Sequence, residues 1–581
     1  MDELLKKSFT AGVERVAAWA DLLDSINVFP VADGDTGRNL SISLMPLMSG
    51  KADQEMVIRE LLLSARGNSG NIASRFFSAF YRAETRQNLY KCAEEGRKRA
   101  WRAVNDPRPG TMLSVFDVLV ESWPSPTAGL DRKTIDSIME HLEKTVQGTC
   151  AILPKLKDAG VVDAGALGMY IFFDGFFQTL AESEQEYRPV TELFKNHLHI
   201  SSGFQENSEA GYCVDFVVEA RNLSQSELAN ITRDQESVIV IPEGDLYKIH
   251  LHTDNIAKVR DEAAKFGSMV SWEDDNLREQ IDEFKNAGFN KTLHIMTDAA
   301  GSLTRADAKK NGLTLLPSYL TIGVKSLPET NFHPRELYAA MKRGIKVSTS
   351  QASVFERHQF YESVTARFDR VMYLCVGSVY TGNFSTAAAW KKRHDWQNRL
   401  IIIDTGAASG RLALIVLATA RFLNKTNDVE KTIVFAHRVL EVCEEYVFLD
   451  KLEYLAAGGR LSKTSAFFGD MLKMKPVISP QPEGAKKIGV VRNSDDQIKM
   501  ARERLAASLA KDAKALIMLE YSDNYDLVAG KIKPLIAEDF PQAEIILQPL
   551  SLTSGAHMGP GTWAIAFLPE MKTEQDVSYW K

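Results

Sequence analysis

Apolar residues recur at intervals of three and four along "FTAGVERVAAWADLL", "MVIRELLLSARG" and "IDSIMEHLEKTVQGTCAILPKL". That spacing predicts amphipathic helices over residues 1 to about 185. Strand-like alternation is scarce there, and glycine-rich turns at 67–70, 110 and 165–168 separate the helices. The polar stretch "AESEQEYRPVTE" reads as a linker. From about residue 210 the texture changes: "GYCVDFVVEA", "SVIVIPEG" and "LYKIHLHT" read as strands and "NIAKVRDEAAKFG" as a helix, a small α+β unit ending near residue 285. Beyond about residue 292, "TLHIMTDA", "RVMYLCVG", "LIIIDTG", "KALIMLEY" and "AEIILQPL" are short continuous apolar runs with helical segments between several of them. They predict strands of a largely parallel sheet covered on both faces. The fold class expected is therefore multidomain: a helical domain, a small α+β domain and an α/β domain.

Composition narrows the functional classes. The chain has 581 residues with a net charge of −7, which is a poor match to the basic surface that nucleic-acid binding requires. Five scattered cysteines, with no CxxC pair, argue for a reducing compartment and against a disulfide framework. "MDELLKKSFT" lacks the apolar core of a signal peptide, and "LALIVLATA" is shorter than the roughly 18–20 residues that span a bilayer. A cytoplasmic or peripheral protein is expected.

The candidate chemistry begins at "NVFPVADGDTGRN", Asn27 to Asn39. Asp33 and Asp35 flank Gly34, and two carboxylates so close repel unless cations sit between them. Hard divalent ions such as magnesium take oxygen ligands of this kind together with substrate phosphates. The plainer alternative is an Asx turn capping the helix that follows. Three further turns lie in the same helical region: "ARGNSGN" with Ser69 and Gly70, "RPGTML" with Thr111 and Met112, and "AGVVDAGALGMY" with Asp163. Singly each is a corner; together they suit a nucleotide site built from the loops at one end of a bundle, with helix-opening amides available to phosphate.

In that order and spacing these four motifs resemble the nucleotide-binding domain of the dihydroxyacetone kinase (DhaL-type) superfamily, and most of all the kinase subunit of bacterial fatty acid kinase, over about residues 1–185. The resemblance implies an antiparallel helical barrel that binds ATP through magnesium. Asp33 and Asp35 would be the magnesium ligands, assisted by Asn27 or Asn39. Ser69 and Gly70 would lie at the phosphates, and Thr111, Met112 and Asp163 along the nucleotide. Ala32 departs from the family's proline without removing a ligand.

In "KIHLHT", His250 and His252 share one face of a strand, and Cys213 lies on an earlier strand. Two imidazoles and a thiolate form a zinc set with the fourth position open or filled by a carboxylate; the alternative is a pair of strand histidines beside a buried cysteine. "GYC", "KIHLHT" and "DNLREQ" resemble the middle domain of the fatty acid kinase subunit, expected here over 192–288. That resemblance implies zinc at these three residues and a homodimer contact. No catalytic task is expected of the zinc.

Small polar residues follow several C-terminal apolar runs, where sheet proteins place ligands: Thr297 and Asp298, Thr349 and Ser350, Ser378, Thr381 and Asn383, then Arg460 and His557 in glycine-rich turns. Read individually these are turns. As a set they offer hydroxyls, a guanidinium and an imidazole to a carboxylate or acyl phosphate. The order "TD…TSQ…S-x-x-TG…GGR…H-x-GPG" resembles the DegV family of fatty-acid-binding proteins over about 292–575. It implies a two-lobed α/β domain, with Thr349, Thr381, Arg460 and His557 around the carboxylate of a long-chain fatty acid. Ala299, Ala352, Thr381 and Asn383 depart from the family pattern, and Tyr380 and Asn383 would reshape the pocket.

The expectation that follows is an ATP-dependent fatty acid kinase fused to its own carrier, with peripheral membrane contact for lipid exchange. Asp33, Asp35, Arg460 and His557 would carry catalysis. A kinase for a small hydroxylated metabolite and a non-catalytic lipid sensor are the rival readings.

Overall fold

The computed structural model describes residues 1–49, 53–124, 130–183, 185–206, 211–220, 225–286, 292–457 and 474–571. The chain forms two compact units, Met1–Asn286 and Ala287–Lys581.

The first unit begins with helices α1 (Glu3–Ala18), α2 (Ala20–Ser25), α3 (Thr36–Leu44), α4 (Gln54–Ser64), α5 (Gly67–Phe80), α6 (Leu89–Ala103), α7 (Met112–Glu121), α8 (Arg132–Ile152), α9 (Pro154–Ala159) and α10 (Ala164–Leu180). Helix α10 is apolar nearly all round and buried along its length, as a central helix must be. Its aromatic side chains form one cluster with those of α1 and α5: Phe9 meets Phe176 edge-on at 5.0 Å between ring centroids, and Phe76 stacks on Phe116 of α7 at 4.0 Å. Helix α1 approaches α10 so closely that a Cβ on Gly175 would stand 2.8 Å from the Ala11 carbonyl oxygen. Across this contact Arg15, fully buried, pairs with Asp174 at 2.7 Å.

A four-stranded antiparallel sheet completes the unit, built from β1 (Tyr212–Glu219), β2 (Glu236–Glu243), β3 (Leu246–Thr253) and β4 (Ser268–Asn276) in the order β2-β3-β1-β4. Alternation along β1 and β3 predicts one wet face, but both strands are buried almost throughout. One face carries Val214, Phe216 and Val218 onto the helix Ile256–Phe266 through Val259 and Ala263. The other carries Val217, Ile239 and Leu246 onto Leu62 of α4 and Ala103 of α6. The sheet is therefore a middle layer, and polar residues on its second face are buried among the helices.

The second unit contains three sheets. Strands β5 (His294–Asp298), β6 (Leu313–Leu316), β10 (Val371–Cys375) and β11 (Leu400–Asp404) form a parallel sheet in the order β11-β10-β5-β6, and β7 (Ser318–Ile322), β8 (Lys325–Pro328) and β9 (Val347–Gln351) form an antiparallel one. The third combines β12 (Glu444–Phe448), β13 (Lys475–Gln481), β14 (Gly484–Val491), β15 (Leu516–Tyr521), β16 (Glu544–Pro549) and β17 (Trp563–Leu568), ordered β14-β13-β12-β17-β15-β16. The single largely parallel sheet expected from the apolar runs is thus corrected: only β15 and β16 pair in parallel in this third sheet. Its strands read as continuous apolar runs because helices cover it, not because it is parallel. The helix Ser409–Thr426 ("LALIVLATA") shares one core with Met372 and Leu374 of the parallel sheet and with Leu516, Met518 and Ala566 of the mixed one. This gives the α/β C-terminal domain two lobes around a common helix.

Glu329 is buried and accepts the Thr553 amide at 2.5 Å. Burial pushes its carboxyl up to about 7, against the opposing pull of the Thr553 and Leu552 amides. A carboxyl whose folded pKa lies above its unfolded one favours the fold at low pH. That contribution is complete below about pH 4.5 and is lost as pH rises through 7. Glu329→Gln keeps the acceptor and removes the charge. The variant is expected to gain about 3 kcal/mol over the unsubstituted protein at pH 8 and nothing at pH 4.5, read as the difference between their thermal melts across that range.

Candidate functional site

Asp35 immediately precedes α3, yet its side chain makes no capping bond to that helix. Asp24 of α2 caps α3 instead, its Oδ1 accepting the amides of Gly37 at 2.6 Å and Arg38 at 3.2 Å. The Asx-turn alternative therefore fails for Asp35, whose carboxylate is left for other work. Gly34 has φ of +64°, and a Cβ there would stand 2.4 Å from Phe284 Cδ2, so the turn requires glycine on both counts. Asn27 donates to Asp33 Oδ1. Its own carbonyl oxygen accepts Thr36 Oγ1 at 2.8 Å, and Thr36 lies 3.4 Å from Ser69 Oγ.

The other motifs converge on the same place. A Cβ added to Gly165 would meet Met112 Cε at 2.7 Å, Asp163 Oδ1 at 3.3 Å and Ser69 Oγ at 3.4 Å. A Cβ on Gly67 would meet Asn39 Nδ2 at 2.3 Å. Gly70 is a packing glycine: its Cα approaches α3 so closely that a Cβ would meet Ser43 Oγ at 2.1 Å. Asp163 and Thr111 are true caps, accepting Ala166 N at 2.7 Å and Leu113 N at 3.4 Å. The structure thus brings Asn27, Asp33, Asp35, Asn39, Ser69, Met112 and Asp163 together at one end of the bundle.

Burial dominates the electrostatics of this end. Burial raises Asp24 to about 8 and Asp163 to about 7. Burial and then the Asp35 charge raise Asp33, and burial raises Asp35 despite the nearby Arg38 guanidinium. Buried carboxylates that repel one another are the donor set a hard divalent cation fits.

The turn is fastened from behind by the segment that leads to the sheet. Glu206 accepts the Ala32 amide at 2.7 Å and pairs with Lys155 at 2.7 Å, while Lys155 also donates to the Pro30 carbonyl at 2.6 Å. Pro30, Lys155 and Glu206 line a cavity of about 780 Å³.

The second face of the middle sheet meets the same end. Pairing of β1 with β3 sets Cys213 opposite His252, Asp215 opposite His250 and Val217 opposite Lys248. The ligand atoms of Cys213, His250 and His252 lie within 4.8 Å of one another, all buried. His250 Nε2 and His252 Nδ1 are buried without a partner, which fits a metal with nitrogen and sulfur ligands. Burial lowers His252 to about 3 and keeps it neutral, as a ligand must be. Burial raises the Cys213 thiol, and the carboxylates of Asp215, Asp35, Asp33 and Asp275 raise it further. Val31, next to the aspartate turn, packs against Cys213. The turn and the Cys-His-His cluster, which the sequence assigns to separate domains, are therefore neighbours.

Nothing in the sequence singles out Asp215. Each of its oxygens takes one group from α5 and one from β3. Oδ2 accepts Gly67 N at 2.8 Å and lies 3.2 Å from His250 Nδ1; Oδ1 accepts Asn71 Nδ2 at 2.8 Å and lies 3.3 Å from Lys248 Nζ. Burial alone would raise its carboxyl, but Lys248, His250 and the Gly67 amide hold it well below the usual range.

In the second unit Thr349 Oγ1 and His557 Nε2 stand 3.0 Å apart. Thr381 accepts the Asn383 amide at 3.3 Å, and the adjacent Gly382 abuts Gln351 of β9. Asn383 bridges inward, donating to Asp298 at 2.8 Å and accepting from Arg357 at 3.1 Å. Arg357 also donates to Gln351 at 3.0 Å and is buried. It lies in a helix whose pattern gives no sign of it. Thr297 ties its hydroxyl to the Leu374 carbonyl at 2.8 Å, and Ser378 donates its amide to Asp404 at 2.9 Å. Arg460 lies outside the described residues.

Comparison with known proteins follows this partition. Residues 30–178 match the DAK2 domain, 209–284 the FakA-like middle domain of fatty acid kinase, and 292–570 the uncharacterised DegV family. An uncharacterised protein of Staphylococcus saprophyticus is 30% identical over 48% of this chain and 55% of its own. One of Staphylococcus haemolyticus is 28% identical over 46% and 54%. The chain spans about half the length of the curated relatives it matches. Among solved structures, a fatty-acid-binding DegV family protein of Thermus thermophilus (21% identity, TM-score 0.45) covers 48% of this chain and 100% of its own. The Streptococcus pneumoniae fatty acid kinase B3 protein loaded with linoleic acid (16% identity, TM-score 0.42) covers the same shares. Along its length, then, this chain carries a DAK2 domain, a FakA-like middle domain and a DegV-family domain.

Proposed function

We propose that the protein transfers the γ-phosphoryl group of ATP to the carboxylate of a long-chain fatty acid held in its DegV-family domain. The observation that carries this reading is the buried Asp33–Asp35 pair, whose Asp35 makes no capping bond and which is set among three glycine-bearing turns. Asp33 and Asp35 would hold magnesium, which when bound neutralises charge on the phosphates. Asn27 orients Asp33, and Asn39 and Ser69 border the space beside it. Thr349 and His557, with Thr381 and Arg460, would grip the acyl carboxylate, which is ionised at neutral pH and needs no general base. Cys213, His250 and His252 would hold zinc, which when bound orders the sheet face beside the turn. One chain carrying both domains raises their mutual effective concentration toward the millimolar range. The edge strand β4 exposes Met269 and Val270, where a second copy would dock to give a homodimer. Among the described residues no helix is long and apolar enough to cross a membrane.

The test is ADP release by the full chain with and without oleate, with acyl phosphate trapped by hydroxylamine. Oleate-dependent ADP and hydroxamate are expected in equal amounts. ADP release stimulated by dihydroxyacetone and not by oleate would replace the fatty acid with a small hydroxylated substrate. Oleate binding without any ADP release would leave a lipid sensor.

A further inference from the structure

The amide of Gly67 opens α5, one of the helix ends that the sequence offers to phosphate. It is already occupied. Asp215 Oδ2 accepts it at 2.8 Å, and the same oxygen lies 3.2 Å from His250 Nδ1. One turn along α5, Asn71 donates to Asp215 Oδ1 at 2.8 Å, and that oxygen also lies 3.3 Å from Lys248 Nζ. A single buried carboxylate therefore fixes the start of α5, two residues from Ser69, and the ring of a histidine in the Cys213–His250–His252 cluster. With Nδ1 engaged, His250 leaves its buried Nε2 without a partner. A carboxylate that holds one ring nitrogen of a ligand histidine sets the direction of the other.

We propose that Asp215 is a positioning residue that couples occupancy of the Cys213–His250–His252 cluster to nucleotide binding at the Asp33–Asp35 turn. A metal drawing on His250 fixes the ring, the ring fixes the carboxylate, and the carboxylate fixes Gly67, whose left-handed backbone faces Asn39. Loss of the metal frees the ring, and the start of α5 loses a fixed anchor. Coupling between two sites is reciprocal, so nucleotide must tighten the metal as much as the metal tightens nucleotide. Asp215 need touch neither ligand. This proposal rests on the nucleotide reading given above.

The experiment uses the full chain in zinc-loaded and chelator-stripped forms, each titrated calorimetrically with magnesium and a non-hydrolysable ATP analogue. The zinc-loaded form is expected to bind the analogue about 5–150-fold more tightly. In Asp215→Asn the two forms should agree within about twofold, while zinc affinity falls by about 10–100-fold. Asn71→Leu severs one arm of the clamp without touching the cluster, and it should narrow the difference between forms while leaving zinc affinity unchanged. It serves as the deciding variant if Asp215→Asn does not fold by near-ultraviolet circular dichroism. A wild-type protein indifferent to zinc, or a folded variant that keeps the full wild-type difference, overturns the proposal and leaves the nucleotide site standing. No analogue uptake in either wild-type form overturns both.

Discussion

Asp35→Ala is expected to lower ATP turnover by roughly three orders of magnitude or more while the protein keeps its fatty acid and its fold. The size of the loss follows from the chemistry, since phosphoryl transfer leans on charge neutralisation and positioning. The retained fold follows from the structure. Asp35 makes no capping bond to α3, that task belonging to Asp24, and its carboxyl is raised by burial. Removing it takes away a repulsive charge and breaks no helix end, so the thermal transition should hold or rise. Asp24→Ala should behave in the opposite sense. It removes the acceptor for two amides and is expected to cost about 1–2 kcal/mol of stability. Coupled-assay turnover, mass spectrometry of bound lipid and a thermal melt together decide the matter. Wild-type turnover in a folded Asp35→Ala protein would refute the role of the pair.

Asp174→Ala is expected to destabilise the first unit by about 3–5 kcal/mol. Arg15 and Asp174 meet at 2.7 Å where α1 crosses α10, and Arg15 has no exposed surface. Deleting the carboxylate takes the 2.7 Å partner from a guanidinium with no exposed surface, and breaking a buried ion pair costs far more than the pair contributed. The face of Tyr187, 3.8 Å from the Arg15 guanidinium carbon, cannot replace a carboxylate. The double variant Arg15→Met with Asp174→Leu should recover most of the loss, because well-packed apolar pairs often match buried ion pairs. Denaturant melts of the full chain should show the unfolding of residues 1–286 moved to lower denaturant and that of 287–581 unmoved. A shift below about 1 kcal/mol would overturn the weight given to this pair.

Much of the first unit is legible in the sequence because its constraints are local. Gly34 in a tight turn, the glycine turns that run into helices at Thr111 and Asp163, and two histidines on one strand face are statements about neighbours in sequence, and each holds in the structure. What escapes is set by partners far along the chain. Asp24 is an ordinary helix-end residue in "ADLLDS" until α3 folds back onto it. Asp215 alternates with apolar residues like any exposed strand carboxylate, and only burial of both sheet faces shows otherwise. Arg357 looks like the solvated face of a helix until Asn383 and Gln351 close over it. The sheet order of the second unit is illegible for a related reason: a strand covered on both faces is apolar throughout, whichever way its neighbours run.

The hold of Glu206 and Lys155 on the backbone at Pro30 and Ala32 has a consequence for inheritance. A gene fragment encoding the helices alone would carry both aspartates of the turn, yet it would lack Glu206, which holds the Ala32 amide and pairs with Lys155. Nucleotide affinity would then be lost through freedom gained by a loop, not through a missing contact. Shuffling of this half between proteins should therefore take the segment through Glu206 along as well.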